Sequence, residues 1–395
     1  MVEPATKRRW TRVAFGDVVR KVSDRVDPET SGLERYVAGE HMDTDNLRIS
    51  RWGTTGDGYL GPAFHMRFKP GQVLYGSRRT YLRKVAVADF AGITANTTFV
   101  LEPEDPNVLL PELLPFIMQT ESFHDHSIKQ SKGSVNPYIN YSDLAWYEFA
   151  LPPVEEQRRI AEGIAALGTT VETLKAVVDS STRVALAVVD DSLRATDAVE
   201  MRVDQAFEVQ IGRQRAPKYA TGTQACRYLR AANIKDGRLL LDDVLEMDFT
   251  ADERRTFRLT TGDVLITEGC GSPEELGATA RWSGELSDDV CFQNTLLRLR
   301  PRKGVTTAGF AYAWARHAYK SGKFLRVARG SNILHIGSKR LSAMPMKVPQ
   351  LRAQDDLEEM LVRVEIASSN ASQRRSALES ARRRILNENL GESSE

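Results

Sequence analysis

The chain has 395 residues, with 54 Lys and Arg against 53 Asp and Glu, a formal net charge of +1, and 41% hydrophobic residues. That length holds two or three domains with separate cores, and the three cysteines, Cys226, Cys270 and Cys291, lack CxxC spacing and are too few for a disulfide framework. No apolar run approaches a membrane span and none follows the basic N-terminus, so a cytoplasmic protein, neither exported nor embedded, is expected.

In chain order, a short polar lead (Trp10 to Val22) precedes a β-rich stretch marked by Tyr36-Val37-Ala38. The phrase Phe68-Lys69-Pro70-Gly71-Gln72-Val73-Leu74 predicts a strand entered through a glycine turn, and Asn96-Thr97-Thr98-Phe99-Val100-Leu101 predicts a further strand. A helix is expected near Leu113 to Ile128, then a Gly133-Ser134 turn, a loop and an apolar strand ending at Leu151-Pro152. Beyond Pro152, Ile160, Ile164, Leu167, Val171, Leu174 and Val178 are spaced 4, 3, 4, 3, 4, the heptad seam of a coiled coil.

The chain then repeats itself. A second lead (Met201 to Gly212) and Arg227-Tyr228-Leu229 are followed by Leu259-Thr260-Thr261-Gly262-Asp263-Val264-Leu265, 191 residues after its counterpart, and by Asn294-Thr295-Leu296-Leu297-Arg298-Leu299. A helix is expected near Ala308 to Leu325. Gly133-Ser134, Ile139, Leu144, Leu151-Pro152 and Gln157 recur as Gly330-Ser331, Ile336, Leu341, Val348-Pro349 and Gln354 at a constant offset of 197. Repetition at this scale implies duplicated domains and not a solenoid. The second closing helix carries a thinner seam: Leu357, Leu361, Val364, Ala367, Ala371, Leu378, Ala381 and Ile385. A helix of about 40 residues reaches roughly 60 Å, and its apolar stripe needs a partner. The simplest arrangement pairs the two helices antiparallel, with a globular unit at each end.

The expected fold is therefore α+β: two pseudo-symmetric mixed α/β domains (1–152 and 199–349) separated by two helical spacers (153–198 and 350–395) pairing as an antiparallel coiled coil.

Near-zero net charge conceals single-sign tracts. Val290 to Gln354 holds 13 Lys or Arg and no Asp or Glu, densest at Arg316, Lys320, Lys323, Arg326 and Arg329; His65 to Ala88 is also free of acids. Such tracts in both copies suit a surface that faces a polyanion. Candidates for contact are Arg78, Arg79, Lys129, Lys132 and Asn136 in the first copy, and Arg213, Arg215, Lys218, Arg326, Arg329 and Asn332 in the second. Arginine can grip guanine with two hydrogen bonds and asparagine can do so with adenine, while lysine more often holds phosphate.

Signs of catalysis are fragmentary. Asn136-Pro137-Tyr138 lacks the second proline of the adenine-methyltransferase loop, and its counterpart Ile333-Leu334-His335 has none of it; Ser321-Gly322-Lys323 is an incomplete phosphate loop. His124-Asp125-His126 has no second cluster to complete a zinc site. No catalytic residue and no metal site is assigned.

The junction Leu151-Pro152-Pro153-Val154-Glu155-Glu156-Gln157-Arg158-Arg159-Ile160-Ala161 resembles a hallmark of the DNA specificity subunit of type I restriction-modification systems, and the whole plan of two recognition domains alternating with two helices is similar to that family. Locally the motif is a strand end, a proline suited to the first turn, and carboxylates beside the positive end of a helix dipole. At the second junction, Val348-Pro349-Gln350-Leu351-Arg352-Ala353-Gln354, the second proline and both glutamates are gone, which leaves its geometry open. The resemblance implies a noncatalytic reader of double-stranded DNA with a bipartite, asymmetric target, the helical pair fixing the gap. It implies docking of two adenine-N6 methyltransferase subunits and recruitment of restriction subunits, with S-adenosylmethionine, ATP and Mg only in those partners. The alternative from the residues alone is a coiled-coil DNA-binding scaffold or regulator without catalytic partners.

Overall fold

A computed structural model describes residues 10–58, 60–216, 221–235, 237–287 and 289–391. The chain forms two compact units, residues 1–175 with 373–395 and residues 176–372. Each unit takes half of each long helix.

In the first unit the polar lead is a strand (Thr11–Ala14), a single helical turn (Phe15–Val18) and a second strand (Val19–Val22). Thr11–Ala14 pairs antiparallel with Glu148–Leu151, so the two ends of the α/β segment close on each other immediately before the long helix. A four-stranded sheet sets Val73–Gly76 between Thr98–Pro103 and Val85–Val87, with Val19–Val22 on the far side of Thr98–Pro103. In a second sheet Arg35–Val37 runs parallel to Gly92–Ala95. Every residue from Val73 to Gly76 is buried, as suits a central strand covered on both faces.

The second unit repeats this pairing. Val264–Thr267 lies between Leu296–Pro301 and Thr279–Arg281, Phe207–Ile211 flanks Leu296–Pro301, and Ala225–Leu229 runs parallel to Val290–Phe292. Val199–Arg202 closes on Pro345–Val348 as Thr11–Ala14 does on Glu148–Leu151. The glycine turns match in detail: Gly71 (φ 88°) and Gly262 (φ 95°) occupy the left-handed region that only glycine enters freely. Their amides donate to Ala88 (2.8 Å) and Trp282 (2.9 Å).

The helix expected over 113–128 is broken in two, Leu114–Ile117 and Glu121–Lys129, because the Thr120 side chain accepts from the Phe123 amide and starts a new helix. The helix expected over 308–325 breaks at a different place, into Ala308–Lys320 and Lys323–Val327, where Gly322 turns left-handed.

The long helices run Val154–Arg194 and Leu351–Leu390. In the first unit Ile160 and Ile164, early in one, share a core with Leu386 and Leu390, late in the other. In the second unit Val189 and Leu193 share a core with Leu357. Start meets end in both units, so the pairing is antiparallel. Of the expected seam, Ile160, Ile164, Leu357 and Ala371 are buried, Leu167, Val171, Leu174, Val178, Leu361, Val364, Leu378, Ala381 and Ile385 are half-buried, and Ala367 is exposed. Ala161, Val189, Leu193, Leu386 and Leu390 are buried positions that the heptad reading did not include.

Candidate nucleic-acid interface

In the first unit two segments 50 to 60 residues apart in sequence meet at one exposed tip. Arg78 and Lys132 each bridge to Tyr138; the Lys132 amide donates to the Tyr138 carbonyl (2.8 Å) and the Tyr138 amide returns the bond (2.9 Å). The Arg79 amide donates to the Pro137 carbonyl (2.6 Å), and Arg79 Nε donates to Asn136 Oδ1 (2.9 Å). Below them the Thr80 and Ser131 hydroxyls are 2.7 Å apart, with Thr80 buried. Lys129 is exposed in the last turn of the adjoining helix. Thus Arg78, Arg79, Lys132 and Asn136 are brought together, with Lys129 three residues before Lys132 on the helix that leads into the same loop. The exposed side chains of Tyr81, Val135 and Tyr138 lie on these same two segments, adding aromatic and apolar surface to the cations and the amide expected from the sequence.

The second unit builds the same tip from different side chains. Arg329 and His335 exchange backbone bonds (3.0 and 2.8 Å) as Lys132 and Tyr138 do, and Gly269 pairs with His335 where Arg78 pairs with Tyr138. Glu268 stands in the place of Ser77: their amides donate to Thr295 and Thr97, and their carbonyls accept from Ile336 and Ile139, at 2.9 to 3.0 Å. Here the buried Glu268 carboxylate meets His335 Nδ1 at 2.8 Å and accepts from the Gly337 amide at 3.2 Å. Neither Glu268 nor His335 was singled out in the sequence; aligning the repeat on Ser77 and Tyr138 is the signal that locates them. Arg326, Arg329 and Asn332 are exposed, and the two arginines donate only to nearby backbone carbonyls.

The Arg213 side chain, of the same set, is committed to internal partners. Arg213 is 7% exposed, with Nε on Glu253 Oε1 (2.8 Å), Nη1 on the Asp248 carbonyl (2.7 Å) and its plane 5.0 Å from the Phe249 ring. Arg215 is exposed, and Lys218 lies outside the described residues.

The tracts that are acid-free in sequence are not acid-free in space. Arg83 pairs with Asp45 (2.9 Å) and Glu121 (2.8 Å), Arg298 with Glu208 (2.6 Å) and Arg300 with Asp263 (2.7 Å). Lys132 reaches Asp143 at 2.7 Å and holds that carboxyl below its usual range. Arg78, Arg79, Arg326 and Arg329, all at the tips, have no carboxylate partner among the described residues. Cations without a carboxylate on an exposed surface are available to an anionic partner.

The fragmentary motifs have local roles. Asn136 and Pro137 hold Arg79. His126 Nε2 is 2.8 Å from the Asp143 carbonyl while buried His124 faces Asp45, so the two histidines face different groups. Among the described residues no group of three or more metal-ligating side chains gathers, and no helix is long and apolar enough to cross a membrane.

Each unit is a mixed α/β fold that shares its core with the start of one long helix and the end of the other, and the two units repeat the same strand pairing: a duplicated fold built on paired helices. Residues 38–179 match the family described as the type I restriction modification DNA specificity domain. Over 179 residues, 45% of this chain, the sequence is 25% identical to the type I restriction enzyme EcoDI specificity subunit of Escherichia coli, and the alignment spans 39% of that relative's length. The fold is similar to a chain from a solved type I restriction-modification assembly (TM-score 0.61, 17% identity, 96% of each chain). It is also similar to the S subunit of the type I restriction-modification system of M. genitalium (TM-score 0.59, 14% identity, 100% of this chain and 99% of that one). The chain thus resembles the DNA specificity subunit of a type I restriction-modification system, in sequence over residues 38–179 and in fold along its whole length.

Proposed function

We propose that this chain is the noncatalytic DNA-reading subunit of a type I restriction-modification complex in the cytoplasm. Residues 1–152 and 199–349 each read one half of a bipartite target, and the helical segments 153–198 and 350–395 set the gap and dock two adenine-N6 methyltransferase subunits, to which restriction subunits can add. S-adenosylmethionine, ATP and Mg then belong to the partners. The observation that carries the reading is the tip built twice on the same backbone bonds with unlike side chains. One scaffold with two side-chain sets supports two half-sites of different sequence, and the half-site spacing then follows the separation of the readers.

The test is to co-purify the full chain with its methyltransferase partner and map methylated adenines across a genome. A split, asymmetric motif with a fixed unspecified gap is expected. Methylation without a consensus, or DNA binding that ignores sequence, would favour a coiled-coil scaffold and overturn the proposal.

A further inference from the structure

We infer that Arg79 reads a guanine in the first half-site and that Asn136 is its positioning residue; this rests on the DNA-reading proposal above. Arg79 is one of three non-glycine residues among the described ones with positive φ (51°, ψ 56°), a conformation that L side chains rarely adopt. Strain of this kind persists where surrounding structure over-determines it. Here the backbone is fixed by the amide bond to Pro137 (2.6 Å) and by the Leu82 amide donating to the Arg79 carbonyl (2.8 Å). The side chain is fixed by Nε on Asn136 Oδ1 (2.9 Å).

That last bond decides the chemistry offered. A guanidinium only donates, so the carboxamide oxygen must be the atom facing it. Nε is consumed, and the two terminal nitrogens of an exposed side chain have no other partner among the described residues. Asn136 keeps its NH2 group and one lone pair of an oxygen already held by Arg79. The pair therefore presents chiefly donors, the terminal nitrogens of Arg79 and the NH2 group of Asn136. In the major groove guanine presents two acceptors, N7 and O6, whereas adenine presents an acceptor and a donor and needs an intact carboxamide to be read by asparagine. Guanine is the matching edge for the terminal nitrogens of Arg79, and Asn136, with its oxygen held by Arg79, is not a free carboxamide for adenine. The equivalent positions of the second unit are Cys270, the residue after Gly269 in the matched strand pair, and Ile333, two before His335. Neither can reproduce the pair, so the second half-site is read by other means.

The test uses the full chain in complex with its methyltransferase partner and duplexes carrying each base at each position of the first half-site. For Arg79→Ala and Arg79→Lys, discrimination at one guanine position should fall about 10- to 100-fold, with the second half-site read as before, which also reports that the variants fold. Asn136→Ala should keep the guanine preference but weaken it at that same position. The inference is overturned by a first half-site without guanine or by unchanged discrimination in the Arg79 variants. A uniform loss across all sequences with a shallower salt dependence would mark Arg79 as a phosphate contact and overturn it equally. A wild-type complex with no split motif would remove the DNA-reading proposal and this inference together, whereas a split motif indifferent to Arg79 removes only the inference.

Discussion

His124 is 1% exposed, and neither ring nitrogen has a hydrogen-bond partner. Burial, reinforced by the Arg83 guanidinium and opposed by Glu121, pushes its imidazole down to about 4. The unfolded value is near 6.5, so between these limits the unfolded chain binds more protons. The stability gained from a neutral His124 is complete above pH 6.5 and is lost as pH falls towards 4, a loss of roughly 3 kcal/mol. Asp45, Arg83 and Glu121 face this ring; the Glu121 carboxyl is held low by Arg83, so its own loss falls at the acid end of the window. His124→Gln should flatten the slope of unfolding free energy between pH 6.5 and 4.5, while an unchanged slope would contradict this account. At this scale the sequence was least legible. It grouped His124 with His126 and placed Arg213 beside the tip arginines, because charge and spacing are visible in a sequence whereas burial and pairing are properties of the folded neighbourhood. Arg78, Arg79, Lys132 and Asn136 do meet in the fold, since a glycine-turn strand and a Gly-Ser turn both end where the loops come together.

Among the elements, the junction between each α/β unit and its long helix is held by one buried glutamine. Gln157 Oε1 accepts from the Leu110 amide (2.8 Å), and its Nε2 donates to the Val108 (2.8 Å) and Pro152 (2.9 Å) carbonyls. Gln354 does the same with Thr307 (2.8 Å), Val305 (3.0 Å) and Pro349 (2.8 Å). Both glutamines are fully buried. The second junction therefore keeps the geometry of the first although it lost a proline and two glutamates; what the geometry needs is the carboxamide. Gln157→Leu or Gln354→Leu leaves one amide and two carbonyls without their partner, a cost of roughly 3 kcal/mol each. Both variants should melt measurably lower and by similar amounts, and a variant as stable as wild type would refute the clamp. The recurrence of Gln157 and Gln354 was visible in the repeat, but its meaning was not, because two of the three partners in each case come from loops 47 to 49 residues upstream. The breaks at Thr120 and Gly322 were missed for a related reason: the apolar period runs through them, while a cap and a left-handed glycine act on single turns.

Across the whole molecule the duplication, the paired helices and the mixed α/β character were all legible, because a repeat and a heptad are long-range patterns that single substitutions do not erase. How each unit closes was not. The second long helix contributes Leu357 to one core and Leu386 and Leu390 to the other. Its Glu358 pairs with Arg281 (3.0 Å) in the second unit, and its Asn387 accepts from the Glu121 amide (2.9 Å) in the first. Each unit is thus completed by chain from far away in sequence, a fact of topology that periodicity does not encode.

The central claim is that the two tips read independently, each its own half of the target. Its most direct test is to map the methylated motif produced by the complex when only the second tip is altered, with Arg326 and Arg329 both changed to alanine. The account predicts a motif whose second half is relaxed or more weakly methylated while the first half and the gap stay as in wild type. A change in the first half, or a motif untouched in both halves, would contradict it.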